Sequence, residues 1–534
     1  MADEKNAVPS GARSHWPLIA ASALLIALLL IALAGQVSFG GLLLPEEDAY
    51  QRLMVGKNLA GRFAWEIIPG QFTSAFGTLL WPLILAPVFL LLGANALWPW
   101  ALNAILSIVL IAVAYRVVRR YVAAPAAQAA LLMLLILALP LAPLAASGME
   151  HVLFLVLLLA FLELWARRMQ SPAQAGLLPM AIVAALLAAT RYEGMILVAL
   201  AAFFLLLKRD LSAGLIVPLA AAFPLAVYGM VSWRAGWLPV PASVYLRRAE
   251  LIPSDLTQLP AVALRSLDIL GANAELRAIV LLLTLLAAWL GFTGRLKSVR
   301  ERSFYAPALA LLATLAYLTL AGDRGTRYDA WLVMTAAWAV VPALGRLIPA
   351  DLRTLGKNPV TLFAAGALAV LLGFPLLNRG VSGVIQFGES MQRAKYIDRW
   401  AGAWAAECAS GPVATDAPAT ILFLTGGSEV VDLSGFVGLD AFRERRGGNL
   451  TAGWIRAEAE RMGASAAIVF QALLQEQADQ VWTRSGGWNV AGCARCGSVV
   501  IYEWPPDSPE CTDVFLNDLP PQTTVRKPEA GGAE

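Results

Sequence analysis

The sequence predicts a mainly α protein: a polytopic membrane helical bundle with a small α/β domain at its C-terminal end. Three observations carry this expectation. Apolar residues make up 59% of the 534 and charged residues only 14%, against about 25% charged in an ordinary soluble globule. Apolar runs near the ~20 residues a bilayer requires recur along the first two thirds of the chain. Beyond residue 377 the composition changes: charged residues and glycines rise, and short β-rich runs alternate with helical stretches, as in an α/β unit.

Taken in order, the runs of spanning length fall at about 16–34, 97–118, 124–146, 149–166, 212–233, 276–292, 304–321, 329–347 and 359–377. The stretch 176–207 adds a hairpin of two short segments broken at "TRYEG", for about eleven transmembrane helices in all. The first run follows Arg13 and lacks a small-residue cleavage site, so it reads as a retained anchor. Residues 35–96 form a first external loop with juxtamembrane helices. Within it, 78–92 holds Pro82 and Pro87 and is short for a crossing, which suits a re-entrant or interfacial helix.

Lysines and arginines in short loops set the orientation. Arg119 and Arg120, Arg167 and Arg168, Lys208 and Arg209, and the clusters at 295–302 and 346–357 are expected on the cytoplasmic side. The N-terminus is then cytoplasmic and residues 378–534 are extracytoplasmic. All four cysteines, Cys408, Cys493, Cys496 and Cys511, fall in that last region, which fits two disulfides in an oxidising compartment, with three connectivities open and a CxxC zinc or redox motif as the rival. Trp98, Trp100, Trp233 and Trp237 fit an outer interfacial belt.

The expected domains are therefore 1–377, transmembrane; 378–505, extracytoplasmic α/β; and 506–534, a disordered tail rich in Pro, Asp and Thr. In the α/β domain "GPVATD", "EVVDLSG", "SAAIVF" and "SVVIYEW" read as strands, with helices near 389–407, 451–462 and 470–482. "LTGGSE" has neither GxGxxG nor Walker spacing and reads as a turn.

Charge and histidine content exclude several function classes. A net charge of +3, with the basic residues in scattered clusters, gives no nucleic-acid footprint. Of the two histidines, His15 lies in the N-terminal tail and His151 stands alone, so a multi-histidine zinc site is ruled out and acid or base chemistry falls to carboxylates.

Several polar groups gather on the predicted outer face. "PEED" at 45–48 starts a helix well, since Pro45 and first-turn acids suit that position; this suffices for Glu46. Glu47 and Asp48 read as functional, because Tyr50, Gln51, Arg52 and Asn58 keep the segment polar at a membrane mouth. Glu150, in "SGMEH", is either a first-turn acid or a site acid. Arg191 and Glu193 of "TRYEG" are expected to pair with each other. Arg247, Arg248, Arg324 and Arg327 violate the positive-inside rule and call for either an anionic ligand such as phosphate or salt bridges at the rim. A carboxylate among arginines suits a reaction in which a hydroxyl loses its proton while a lipid-borne phosphate leaves.

In their order along the chain, "EEDAYQRLMVGKNLAGRF" with "FTSAF", then "SGMEHVLF", "TRYEG", "LPVPASVYLR" and "GDRGTRYDAW" resemble the motifs of bacterial C-type (GT-C) membrane glycosyltransferases. The resemblance is to the branch of the mycobacterial terminal arabinofuranosyltransferases, which draw sugars from polyprenyl phosphate. It implies a GT-C-like bundle in a bacterial inner (cytoplasmic) membrane. The implied activity moves a sugar, arabinofuranose or another pentose or hexose, from a polyprenyl-phosphate donor to an envelope glycan or lipid acceptor, with membrane lipids as surroundings.

Carried onto this sequence, the resemblance makes Asp48, with Glu47 beside it, the general base and Glu150 the second acid. Arg52, Arg191, Arg247 and Arg327 would meet the donor phosphate, and Tyr50, Asn58, Glu193, Tyr245 and Tyr328 would line the substrate site. No cofactor is fixed, but Glu47, Asp48 and Glu150 offer hard oxygen ligands to a divalent cation, Mg or Mn. Glu47 stands where the family has aspartate, Tyr192 where it has proline and Arg247 where it has lysine. The C-terminal domain would bind the acceptor or cap the cavity. The alternative is a transporter or flippase of lipid-linked or anionic substrates, whose ionisable groups belong near the midplane and whose halves often repeat; neither feature is present in the sequence.

Overall fold

The computed structural model describes residues 15–38, 41–172, 176–248, 259–292, 302–320, 327–348, 359–427, 429–493, 495–504 and 509–526. The chain opens with α1 (Trp16–Gln36), turns through the antiparallel pair β1 (Val37–Ser38) and β2 (Gly41–Leu42), and enters α2 (Glu47–Arg62) and α3 (Leu80–Leu92). The helical part continues with α4 (Leu97–Tyr121), α5 (Pro125–Ala138), α6 (Leu141–Ala146), α7 (His151–Gln170), α8 (Leu177–Thr190), α9 (Glu193–Leu207), α10 (Leu211–Arg234) and α11 (Ala242–Arg248). It closes with α12 (Leu259–Ala272), α13 (Ala274–Phe292), α14 (Arg302–Leu320), α15 (Ala330–Leu347) and α16 (Pro359–Arg393).

Among the described residues, α1, α4 and α10 are long and apolar enough to cross a bilayer, and α12 with α13 forms a fourth such element bent by 106°. Other apolar helices, such as α5, α8 and α9, are shorter. The structure thus supports a bundle of apolar helices without fixing the expected number of eleven. The run at 124–146, for instance, is divided at Pro140 into α5 and α6. Ile19 and Ile31 on α1 and Leu219 and Phe223 on α10 are each at least 66% exposed, and apolar surface on that scale calls for a non-aqueous neighbour. At 13 residues α3 is about 20 Å long. It packs on α2 and leaves Leu90, Leu91 and Leu92 exposed.

The break at "TRYEG" falls between α8 and α9 as expected, and α7 gives the bundle a polarity. Glu150 stands at its start; Arg167 and Arg168 stand in its last turn, about 25 Å away. At that far end Arg120 pairs with Glu163 at 2.5 Å and Arg168 with Asp210 at 2.7 Å.

α16 runs unbroken past the expected boundary at 377/378 to Arg393, and a π-helical turn at Ala394–Asp398 leads into α17 (Arg399–Glu407). Beyond it come β3 (Val413–Thr415), α18 (Pro418–Thr425), β4 (Val430–Asp432), α19 (Leu439–Gly447), α20 (Ala452–Arg461), β5 (Ala466–Val469), α21 (Ala472–Ala478), β6 (Arg484–Val490), β7 (Ser498–Glu503), α22 (Pro509–Asn517) and β8 (Thr523–Arg526). The strands form one sheet in the order β4-β3-β5-β7-β6-β8, parallel at β4-β3-β5 and antiparallel elsewhere.

Two features depart from the sequence reading. β6, "RSGGWNV", carries two glycines that weaken its strand signal; the backbone needs one of them, since a Cβ on Gly487 would lie 2.6 Å from the carbonyl oxygen of Val499. The expected disordered tail is ordered over 509–526. Cys511 is bonded to Cys408, and β8 pairs with β6 along the sheet edge, so a cross-link and a strand ladder hold a segment whose composition is that of a free end. Cys493 and Cys496 form the second disulfide, which selects one of the three connectivities. A shared apolar core joins Tyr50, Leu53, Trp81 and Leu85 of the first loop to Trp404, Ile421, Ile468 and Trp488 of the C-terminal domain, so the domain is seated on α2 and α3.

Candidate active site

The loop that delivers Glu150 is fixed by side chains from three helices. Gln36 donates to the carbonyl of Ala146 at 2.7 Å, Trp81 to that of Gly148 at 3.0 Å and Asn103 to that of Met149 at 2.8 Å. Gly148 turns there at φ +72°, and a Cβ on it would lie 2.8 Å from Leu44. The turn places Glu150 at the cap position of α7, where its side chain makes no capping hydrogen bond.

Glu150 instead receives two guanidinium groups. Arg52 Nε donates to its Oε2 at 2.7 Å and Arg191 Nη1 to its Oε1 at 3.3 Å, all three residues being less than 10% exposed. Arg52 also donates to the carbonyl of Asp48, one turn back on α2, at 2.5 Å and lies 5.0 Å from the ring centre of Phe76. Arg191 also grips Glu193 at 3.1 Å, as expected, and Nδ1 of His151 at 2.9 Å. Arg191 and Arg327 lie 5.7 and 4.6 Å from the ring centre of Tyr328. Arg327 is ion-paired with Glu46, which is the rim salt bridge foreseen as one of its two readings and gives Glu46 a role besides opening a helix.

Two cavities meet here. The smaller, about 70 Å³, is walled by Asp48, Arg52, Glu150, Arg191, Glu193 and Tyr328 together with the "FG" turn at Phe76. The larger, about 650 Å³, lies between the helical part and the C-terminal domain; its walls include Asp48, Arg327 and Tyr328 on one side and Arg393, Phe470 and Arg495 on the other. Asp48, Ser243 and Tyr328 line both. The backbone of α11 reinforces this junction: Ala242 N–H donates to Ser74 at 2.7 Å and Ser243 N–H to Ala75 at 3.0 Å, so "FTSAF" and "LPVPASVYLR" are laid side by side.

Glu47 reaches the rim of the larger cavity, but its carboxylate is bound to the start of α18. It accepts from Ala419 N–H at 3.0 Å, Thr420 N–H at 2.8 Å and the Thr420 hydroxyl at 2.5 Å. Burial between α2 and α18 pushes it up to about 7 in spite of those donors. Asp416 on the opposite wall accepts from Phe470 and Gln471 N–H at 2.9 and 2.8 Å, and burial raises it to about 6.

The remaining expected residues serve the frame. Tyr50 accepts from Leu44 N–H at 3.1 Å and packs on Phe423. Asn58 donates to the carbonyl of Glu66 at 2.9 Å. Tyr245 packs edge-on against Phe442 of the C-terminal domain. The side chains of Arg247 and Arg248, and all of Arg324, lie outside the described residues. Among the described residues no group of three His, Cys, Asp or Glu is arranged to hold a metal ion; of the carboxylates named for a cation, Glu150 is taken up by two guanidinium groups and Glu47 by α18.

His151, Phe76 and Ser243 join the site without having been singled out by sequence, as do Arg393 and Arg495 from the far wall. His151 sat in plain view beside Glu150. Phe76 and Ser243 lay inside the quoted motifs "FTSAF" and "LPVPASVYLR", whereas Arg393 and Arg495 become visible only when distant segments meet.

No family model matches the chain, and none of the curated proteins does by sequence. In structure it is similar to ArnT from Cupriavidus metallidurans bound to undecaprenyl phosphate, with 12% identity and a TM-score of 0.53 over 92% of this chain and 98% of that one. It is similar also to the Archaeoglobus fulgidus oligosaccharyltransferase in complex with Zn and sulfate, with 13% identity and a TM-score of 0.50 over 95% of this chain and 74% of that one. At such identities the likeness is one of fold alone: the chain has the fold of these two proteins, and the arabinofuranosyltransferase branch is not distinguished by it.

Proposed function

We propose that the chain is an integral-membrane glycosyltransferase that takes a sugar from a polyprenyl-phosphate donor and passes it to a glycan or lipid acceptor of the cell envelope on the extracytoplasmic face. The observation that carries this reading is the position of Asp48, on the wall shared by a cavity large enough for a sugar-bearing substrate and a small pocket where Arg52 and Arg191 are paired with Glu150 and Glu193. The GT-C fold, and a structural neighbour crystallised with undecaprenyl phosphate, support the donor class. A pentose such as arabinofuranose, or a hexose, is the sugar the motifs favour.

In this mechanism Asp48 accepts the proton of an acceptor hydroxyl as that oxygen attacks the anomeric carbon. The bond from that carbon to the phosphate oxygen breaks, its electron pair staying on the lipid phosphate. Arg327, on the larger cavity, shares its charge between Glu46, its ion-pair partner, and the developing negative charge. Arg52 and Arg191, braced by Glu150, give the pocket its shape and potential. A phosphate is already a fair leaving group, so the demand on the protein is chiefly positioning and charge stabilisation.

The test is to incubate the purified protein with a panel of polyprenyl-phosphate sugars and envelope acceptors and follow release of free polyprenyl phosphate. Turnover with one donor is expected. Asp48→Asn should lower kcat by about 10²–10⁴, the range of general-base catalysis, while still binding polyprenyl phosphate. Absence of both binding and turnover across the panel overturns the reading, and so does vectorial movement of the lipid without transfer.

A further inference from the structure

We propose that the C-terminal domain carries a second carbohydrate site, remote from the reaction cavity and built on the stacked indoles of Trp482 and Trp504. The glycosyltransferase reading supplies its natural ligand, the neutral glycan chain of the acceptor; the site itself is argued from its own geometry.

The two rings lie 4.3 Å apart between centres and within 2° of parallel. Trp482 is 8% exposed and Trp504 half-buried, so the inner indole backs the outer one. They form part of the wall of a cavity of about 490 Å³, together with Arg456, Glu460, Arg484 and Glu503. The placement is distal. Phe470 and Gln471, which line the reaction cavity, follow the end of β5, whereas Ala466 at its start pairs with Glu503 on β7. The two cavities therefore open at opposite ends of the sheet, with the four residues of β5, about 13 Å of strand, between them.

The chemistry of the lining selects the ligand class. Arg456 is paired with Glu460 at 2.8 Å and Arg484 with Asp479 at 2.6 Å, while Glu503 accepts from Thr512 at 3.0 Å. With two arginines set against Glu460, Glu503 and Asp513, the wall is near charge balance and offers no basic surface for a phosphate or polyanion. Parallel indoles present one outer face, unlike the converging faces that enclose a quaternary ammonium group. A neutral ring with an apolar face and several hydroxyls matches what remains: its C–H face stacks on Trp504, and the paired ionic groups and the hydroxyls of Thr483 and Ser485 meet its edge. The indole N–H of the buried Trp482 finds no acceptor among the described residues. The rival occupant of an aromatic wall is a proline-rich peptide.

The experiment uses the full-length protein in nanodiscs and its Trp504→Ala variant, with thermal unfolding as the folding control. Neutral arabino-, manno- and gluco-oligosaccharides and a polyproline peptide are titrated by saturation-transfer NMR, and transfer is measured to a monosaccharide and to a long-chain acceptor. Loss of ring stacking should weaken binding of at least one oligosaccharide series about five- to tenfold and raise KM for the long acceptor alike, with kcat and the short acceptor unchanged. Equal binding by the two proteins, or binding of the peptide alone, overturns the site. Should no acceptor be glycosylated at all, the proposed function fails, while Trp504-dependent oligosaccharide binding still establishes the site.

Discussion

Glu47 and Thr420 are joined by two hydrogen bonds, at 2.8 Å from the backbone N–H and 2.5 Å from the hydroxyl, across 373 residues of chain. The residue next to the proposed base is thus the residue through which α2 grips the C-terminal domain, and the domain fixes where Asp48 stands.

That clasp titrates. Burial raises Glu47 from 4.5 to about 7, so between those values the docked protein holds a proton that the undocked chain has released. Docking is then strongest below pH 4.5, weakens as pH rises towards 7 and levels off above. Glu47→Gln should flatten this slope in a proteolysis assay of domain release. Glu47→Ala leaves three donors without an acceptor and should lower stability by roughly 1–3 kcal/mol. A catalytic role for Glu47 would instead appear as lost kcat in Glu47→Gln with docking intact.

Glu150 holds Arg52 and Arg191 together where the three side chains are almost fully enclosed. Removing the acid of a buried ion-paired cluster costs about 3–5 kcal/mol, because the cations are left uncompensated. Glu150→Ala should show that loss in thermal unfolding, and a cycle with Arg191→Met should be strongly non-additive, since the second substitution removes one of the stranded charges. Additive losses would mean the pair is not coupled.

How much of this was legible in the sequence depends on range. α2, α7 and the break at Arg191 were readable because apolar periodicity and its interruptions are local signals, and Asp48, Arg52, Glu150, Arg191 and Tyr328 each lay within a recognisable motif. The partner of Glu47 was not, since nothing near "PEED" announces a helix start 373 residues away. Tyr50 and Asn58 looked functional because they were polar at a membrane mouth, yet each meets the backbone of its own loop. β8 was missed because a cross-link and a strand ladder outweigh composition.

The two disulfides should differ in consequence. Cys408–Cys511 closes a span of 103 residues and Cys493–Cys496 one of 3. Loop-closure entropy alone assigns the first about 4.7 kcal/mol and the second about 1.6 kcal/mol. Cys408→Ala with Cys511→Ala should therefore expose 509–526 to protease and lower Tm clearly, whereas Cys493→Ala with Cys496→Ala should do so weakly. Equal effects would show that strain or denatured-state structure, and not chain entropy, governs both.

Gly148 offers a test that separates backbone from packing. Its φ of +72° costs a residue with a Cβ about 1–2 kcal/mol, and the new methyl would also press on Leu44 at 2.8 Å. Gly148→Ala should lower Tm and reduce sugar transfer together, because the same turn sets the position of Glu150. Adding Leu44→Ala removes the clash but not the strain, so the double variant should recover part of the activity lost by Gly148→Ala. Full recovery would assign the glycine to packing alone; no recovery would place its whole value in the left-handed turn that aims Glu150 at Arg52.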